Sequence, residues 1–353
     1  MSAAGQDVTR TFPDVLTALV RGQDCDVATA GWVMDRILAG DLSPVQVAGF
    51  VIALRAKGET VEEITGLAEG MLARATPITV TGDLVDVVGS GGDRANTVNV
   101  STMAAITAAA AGARVVKHGN RSASSACGTA DVLEELGVEL NLAPERQQAI
   151  VDECGICFLF APHYHPALKH SLVARRELGV ATTFNFLGPL ANPARPSAQA
   201  VGIADLRMAE LVAGVLARRG VRGLVFHGGD GLDELTTTTA STVWVINNGQ
   251  AVRTELDPLD LDVPRARVED LVGAGPEHNA GVIGDLVAGA TGPVRDIVVL
   301  NAAATLLAHE GPDPTGDLVA QLRPMVERAG AVLDDGTAAH TLERWVAATR
   351  RAG

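Results

Sequence analysis

The chain has 353 residues, 47% of them apolar and 20% charged, a composition that sustains packed cores and argues against extended disorder. Its formal net charge of −14 and 3% aromatic content exclude a general nucleic-acid surface, which needs clustered cations and stacking platforms. The length exceeds what one core usually serves, so two domains are expected.

Residues 1–11 are polar and lack the basic-then-apolar pattern of a secretion signal. The next stretch, to about residue 75, reads as four short helices. Trp32, Val33, Ile37 and Leu38 recur at helical spacing. Ser43-Pro44 marks a helix start, because proline at the first helical position has a preset φ and no donor to waste. Thr60 and Glu63 have capping-box spacing, and Ile64, Leu67, Ala68, Met71 and Leu72 continue as one apolar stripe. No chemistry is visible in this region.

The character changes at Gly82. Leu84-Val85-Asp86-Val87-Val88 predicts a strand that ends in Gly89-Ser90-Gly91-Gly92-Asp93. A helix is expected next, starting near Ser101 or Thr102 and stopped by Gly112. The apolar run 103–113 is too short to span a bilayer and reads as a buried part of that helix. A second strand over 113–116 would open into a loop containing Lys117, His118, Gly119, Asn120, Arg121, Ser122, Ala123, Ser124 and Ser125. A third, over 223–226, would open into His227-Gly228-Gly229-Asp230-Gly231-Leu232-Asp233-Glu234. Repeated strand, loop and helix predicts a parallel α/β sheet. Loops at the carboxyl ends of its strands then share one edge, where ligands bind. Residues 258–276, of mixed charge, read as a surface excursion.

Each loop has a chemical reading beside a plain one. The glycine cluster is either a tight turn or a nest of amides for an anion. Thr97, Asn99, Ser101 and Thr102 are either ordinary caps or donors at a helix N-terminus that favours anions. The segment 117–125 supplies one Lys, one Arg, one Asn and three Ser, suited to a diphosphate, or is a solvated loop. Asp233-Glu234 offers hard oxygens for Mg²⁺, or is a surface acid pair. Cys154-Gly155-Ile156-Cys157 with His163 and His165 superficially resembles a zinc or redox site. The ligand pairs are too close for structural zinc, and Phe158-Leu159-Phe160 carries the cysteines toward a core. Four cysteines make no disulfide scaffold here, so a reducing cytoplasm is expected. His118 and His227 are acid–base groups or hydrogen-bonded pocket residues.

Five motifs occur in order: Gly89-Ser90-Gly91-Gly92-Asp93, Asn99-Val100-Ser101-Thr102, Lys117-His118-Gly119-Asn120-Arg121, Asn185-Phe186-Leu187-Gly188-Pro189-Leu190 and Asp233-Glu234. Together they resemble the anthranilate phosphoribosyltransferase family over nearly the whole chain. Ser90 stands where Thr is more usual, which keeps the hydroxyl. The resemblance implies a small all-helical N-terminal domain, residues 1–78, joined by a returning segment near 165–192. It implies a larger α/β domain, residues 79–353, with a mainly parallel sheet, substrates at a hinged cleft, and a homodimer through the helical domain.

The same resemblance implies transfer of a phosphoribosyl group from phosphoribosyl pyrophosphate to anthranilate in tryptophan biosynthesis. Carried over by position, Gly89, Gly92, Asp93, Thr97, Asn99, Val100, Ser101, Thr102, the segment Lys117, His118, Gly119, Asn120, Arg121, Ser122, Ala123, Ser124, Ser125, and Thr129 hold the sugar diphosphate. Ser101, Asp233 and Glu234 serve two Mg²⁺ ions per subunit, and Gly89, Asn120 and Arg175 contact anthranilate. No residue is assigned as a general base. The competing readings are a pyrimidine-nucleoside phosphorylase-like enzyme, which does not need the acid pair, and a non-catalytic binding relative of the same fold.

Overall fold

The computed structural model describes residues 11–122 and 126–353. Along the chain lie α1 (Phe12–Val20), α2 (Val27–Ala39), α3 (Pro44–Lys57), α4 (Val61–Ala73), β1 (Val85–Gly89), α5 (Val100–Ala110), β2 (Val115–Gly119), α6 (Thr129–Glu135) and α7 (Gln147–Cys154). Next come β3 (Ile156–Phe160), α8 (Ala161–Tyr164), α9 (Leu172–Leu178), β4 (Ala198–Gly202), α10 (Leu206–Arg218), β5 (Arg222–Gly228), β6 (Ser241–Asn247) and β7 (Gln250–Leu256). Helices α11 (Pro276–Val287), α12 (Pro293–Glu310), α13 (Leu318–Asp334) and α14 (Thr337–Ala352) complete the chain.

Two compact units divide these elements: the described residues up to Arg74 with Ala167–Phe184, and Ala75–Pro166 with Asn185–Gly353. In the helical unit both expected starts are formed. Ser43 and Thr60 each accept from the backbone N–H three residues on, and Gln46 and Glu63 reach back to the cap N–H. Glu63 is fully buried because it also accepts from Cys25 N–H at 2.9 Å and pairs with Lys57 at 3.0 Å. The returning chain is fastened to this bundle through Thr183 Oγ1, which donates to Glu59 Oε1 at 2.7 Å.

In the α/β unit a seven-stranded sheet, counted over the described residues, has the order β3-β2-β1-β4-β5-β6-β7. The first five are parallel and the last two antiparallel. Helix α5 is almost entirely buried, since its alanines let α12 and the sheet close on it.

Several expectations need correction. Strand β2 lies at Val115–Gly119 and not over 113–116, so Lys117, His118 and Gly119 belong to a strand. Parallel pairing with β3, from Val115↔Ile156 to Gly119↔Phe160, outweighs their loop-like composition. Strand β5 likewise runs on through His227 and Gly228. Its loop returns into antiparallel β6, so the third strand–loop–helix unit is a strand–loop–strand. Residues 258–276 are not a plain surface excursion. Leu261, Val263 and Leu271 join the core, and Thr97 bridges to Val272.

Candidate active site

Strands β1, β4 and β5 end together, and the loops beyond their ends pack closely because side chains are missing there. A Cβ on Gly89 would stand 2.3 Å from Oδ2 of Asp233, and one on Gly202 would stand 1.7 Å from the Asp233 carbonyl oxygen. Gly202 therefore has to be glycine for the Asp233 backbone to lie across it, and Gly89 leaves the room that the Asp233 carboxylate occupies. Gly91 N–H then donates to Asp233 Oδ2 at 2.6 Å, joining the first and third loops across 142 residues of sequence. Ser90 N–H donates to the Gly202 carbonyl at 2.9 Å, and Ser90 Oγ accepts from Ala204 N–H at 3.1 Å. Gly91, Gly92, Arg94 and Asn96 all adopt left-handed φ, which for Arg94 and Asn96 is a strain that the surroundings must hold. The holding segment is 271–273: Val98 N–H donates to Leu271 O, and Gly273 N–H donates to Asn96 O.

The acid pair is buried. Asp233 and Glu234 are each 8% exposed. Burial, then the charge of Asp93, pushes the Asp233 carboxyl up to about 7. Burial, then Asp233, raises Glu234 well above its ordinary value, with Lys117 opposing. Lys117 is only 1% exposed and donates to Val87 O at 2.5 Å and Ser101 Oγ at 3.2 Å. Desolvation lowers its pKa, while Asp86, Glu234 and Asp233 hold it up. One buried ammonium thus answers a larger number of carboxylates, and the cluster is short of positive charge.

That shortage and an all-oxygen donor set fit Mg²⁺. Among the described residues no three His, Cys, Asp or Glu side chains form a ready cage. Two carboxylates completed by water and substrate phosphate are the usual Mg²⁺ arrangement.

The N-termini of α5 and α6 approach each other beside the loops. Thr102 Oγ1 donates to Thr129 Oγ1 at 3.3 Å, and Asn99 Nδ2 donates to Cys127 O at 3.2 Å. Asn99 Oδ1 in turn accepts from Asn279 Nδ2 at 2.8 Å, a contribution of α11 that the sequence did not signal. Asn120 Oδ1 accepts from Arg121 N–H at 2.7 Å. The Arg121 guanidinium pairs with Asp131 at 2.7 Å and Glu134 at 2.9 Å and lies over the Phe160 ring, so it is committed to α6. His118 packs edge-to-face on His165 at 5.3 Å. Burial, with His165 and Lys117 adding to it, depresses its pKa to about 3, so the ring is neutral. Ala123, Ser124 and Ser125 lie outside the described residues.

Arg175 belongs to the helical unit, on α9. Its guanidinium stacks on Phe184 at 5.5 Å, and burial lowers its pKa with no carboxylate acting to raise it. Arg176 beside it is exposed. The cysteine pair is inert by placement: Cys154 ends α7, Cys157 lies in β3, and both are buried free thiols whose pKa burial raises.

Sequence reasoning also missed Asp86, fully buried in β1. It accepts from His118 N–H at 3.2 Å and from Asn192 Nδ2 at 2.9 Å, which braces β2 from beneath. An aspartate at the second position of an apolar strand was the signal available.

The profile "Glycosyl transferase family, a/b domain" matches residues 81–339, and "Glycosyl transferase family, helical bundle domain" matches residues 13–75. An anthranilate phosphoribosyltransferase from a Nocardioides species is 57% identical over 341 residues, covering 97% of this chain and 99% of that protein. The chain belongs to the anthranilate phosphoribosyltransferase family. Among solved structures, the family member from Thermus thermophilus superposes with a TM-score of 0.88 at 41% identity, covering 96% of this chain and 99% of that one. The Saccharomyces cerevisiae member, in complex with PRPP and Mg, gives 0.86 at 23% identity, covering 96% and 98%, and shows the shared fold.

Proposed function

We propose that the chain transfers the phosphoribosyl group of phosphoribosyl pyrophosphate to the amine of anthranilate. The products are N-(5-phosphoribosyl)anthranilate and pyrophosphate, a step of L-tryptophan biosynthesis. Family membership supports the reaction, and one observation carries it at the level of residues. The Asp233 carboxylate sits against Gly89 and accepts from Gly91 N–H, so an amide-rich loop and a cation-deficient acid pair meet at one sheet edge.

Anthranilate's amine is neutral at pH 7 and already holds the attacking lone pair, so no strong base is needed. The barrier lies in breaking the C1–oxygen bond, which leaves charge on the departing pyrophosphate. In this reading Gly89, Gly92, Asp93, Thr97, Asn99 to Thr102, the segment 117–125 and Thr129 hold and orient the sugar diphosphate. Lys117, pinned between Val87 and Ser101, adds a fixed cation. Ser101, Asp233 and Glu234 would hold two Mg²⁺ per subunit, whose chemistry is neutralisation of the leaving group's charge. Gly89, Asn120 and Arg175 take anthranilate. A half-buried guanidinium with no carboxylate of its own among the described residues suits the substrate's carboxylate.

A homodimer through the helical unit is supported by exposed Val20, Val45, Ile52, Leu172 and Val173, all in that unit. A cytoplasmic location is supported by four buried cysteines that all remain thiols. No helix among the described residues is long and apolar enough to cross a membrane.

Mixing the pure protein with both substrates and Mg²⁺ tests the proposal through the fluorescence of the product. Turnover should appear with Mg²⁺ and vanish in EDTA. A folded protein giving no signal would refute the activity, and robust thymidine phosphorolysis would favour the phosphorylase reading.

A further inference from the structure

The loop carrying Asp233 and Glu234 is held from below by a side chain that lies outside the predicted site. Asn301, in the middle of α12, is fully buried. Its Oδ1 accepts from Leu235 N–H at 3.0 Å, and its Nδ2 donates to Leu235 O at 2.9 Å. The carboxamide thereby mimics a strand partner for the residue that directly follows Glu234. The same Nδ2 donates to Ile297 O at 2.8 Å, one turn back in the helix, so the side chain has no freedom to swing.

A second fastening acts from the rim. Thr236 Oγ1 donates to Asp230 Oδ2 at 2.7 Å and accepts from Thr238 N–H at 3.0 Å, while Thr236 N–H donates to Ser241 Oγ at 3.1 Å. Leu235, Thr236 and Thr237 are fully buried although they belong to no strand or helix. Buried irregular backbone must find side-chain partners, and here the partners bracket the acid pair on its C-terminal side.

We propose that Asn301 is a positioning residue for the Asp233–Glu234 carboxylates, acting through the Leu235 peptide, with the Asp230–Thr236 bond as its counterpart at the rim. The Asn301 carboxamide directs its hydrogen bonds to Leu235 and Ile297, one residue beyond the acid pair and one turn back in α12. It fixes where the two carboxylates stand while they are crowded and short of cation, a state in which they would otherwise spread apart. The proposal rests on the reading of that pair as metal ligands. Outer contacts of this kind typically change metal affinity about 10- to 100-fold when removed.

The test is a titration of Mn²⁺ alone into the full-length protein, read by electron paramagnetic resonance of the free ion, with melting temperature measured in parallel. Asn301→Ala should weaken Mn²⁺ binding about tenfold or more. Thr236→Val, which conserves volume and charge, should weaken it in the same direction. Thr305→Val is the control, because Thr305 is equally buried on α12 and its hydroxyl donates to the Asn301 carbonyl. It should lower the melting temperature without moving Mn²⁺ affinity.

Two results would overturn the inference in different ways. Unchanged Mn²⁺ affinity in Asn301→Ala and Thr236→Val, with loss in Asp233→Asn, would discard the positioning role and keep the metal reading. Unchanged affinity in Asp233→Asn with Glu234→Gln would remove the metal reading itself, and the inference with it. If Asn301→Ala does not fold, the Thr236→Val titration decides.

Discussion

Replacing Gly89 by alanine separates function from folding. The added Cβ would lie 2.3 Å from Oδ2 and 2.9 Å from Cγ of Asp233. Ordinary non-bonded separation is roughly 3.5 Å, so the carboxylate must withdraw by about 1 Å. It can do so, because the colliding atoms are the end of a side chain, but it then releases the 2.6 Å bond from Gly91 N–H. A hydrogen bond to a charged group contributes about 1.5–3 kcal/mol. Gly89 is not among the glycines at positive φ, so alanine recovers about 0.4–1 kcal/mol of unfolded-state entropy. The net loss of stability should be about 1–2 kcal/mol. A 1 Å displacement of a positioning group costs about 100-fold in rate, or about 2.7 kcal/mol of transition-state stabilisation.

The assay is steady-state kcat and the KM for Mg²⁺ in parallel with urea unfolding. Gly89→Ala should lose about two orders of magnitude in kcat/KM while remaining folded at assay temperature. Gly202→Ala supplies the contrast: its Cβ would lie 1.7 Å from the Asp233 carbonyl oxygen and 2.3 Å from its carbon, which are backbone and cannot swing. That variant should lose more than about 4 kcal/mol of stability. Activity of Gly89→Ala within about threefold of the wild type would mean that the Asp233 position does not govern turnover.

Three other outcomes are expected. Arg175→Ala should raise the KM for anthranilate about 10- to 100-fold, the size of a lost charged hydrogen bond, and leave that for phosphoribosyl pyrophosphate unchanged; a shift confined to the sugar substrate removes Arg175 from the anthranilate site. Lys117→Met leaves Asp86 and Glu234 without their buried ammonium and should cost about 3–5 kcal/mol in EDTA, less in Mg²⁺. Equal urea midpoints for the two proteins would contradict this. Asp86 has its folded pKa raised from 3.8 to about 6, by burial first. Its contribution is therefore present below about pH 4 and is lost as pH rises through about 6, a change on the order of 3 kcal/mol. The stability difference between wild type and Asp86→Asn, from urea curves, should fall over that window; a flat difference would show that the carboxyl does not titrate there.

The site was more legible than the sheet. Gly89 to Asp93 and Asp233-Glu234 could be singled out because glycine clusters and adjacent acids are disfavoured within strands and mark the turns that end them. Strands β3, β4, β6 and β7 gave no comparable signal, since short apolar runs such as Ala198–Gly202 do not distinguish strand from helix. Lys117 and His118 looked like loop residues, because nothing local reveals that β3 will pair with them. Asn279, Asn301 and Thr236 are single polar residues in long unremarkable segments, and only contact across the fold gives them a role.

The sequence alone determined the helical start of the chain, the glycine loops and the order of the motifs, since capping, turn and phosphate chemistry depend on neighbours a few residues apart. Tertiary structure alone decided that Asp233 rests on Gly89 and that the acid pair is buried against one lysine. Those facts depend on which strands pair and how close their ends come, and pairing energy is shared among residues distant in the chain.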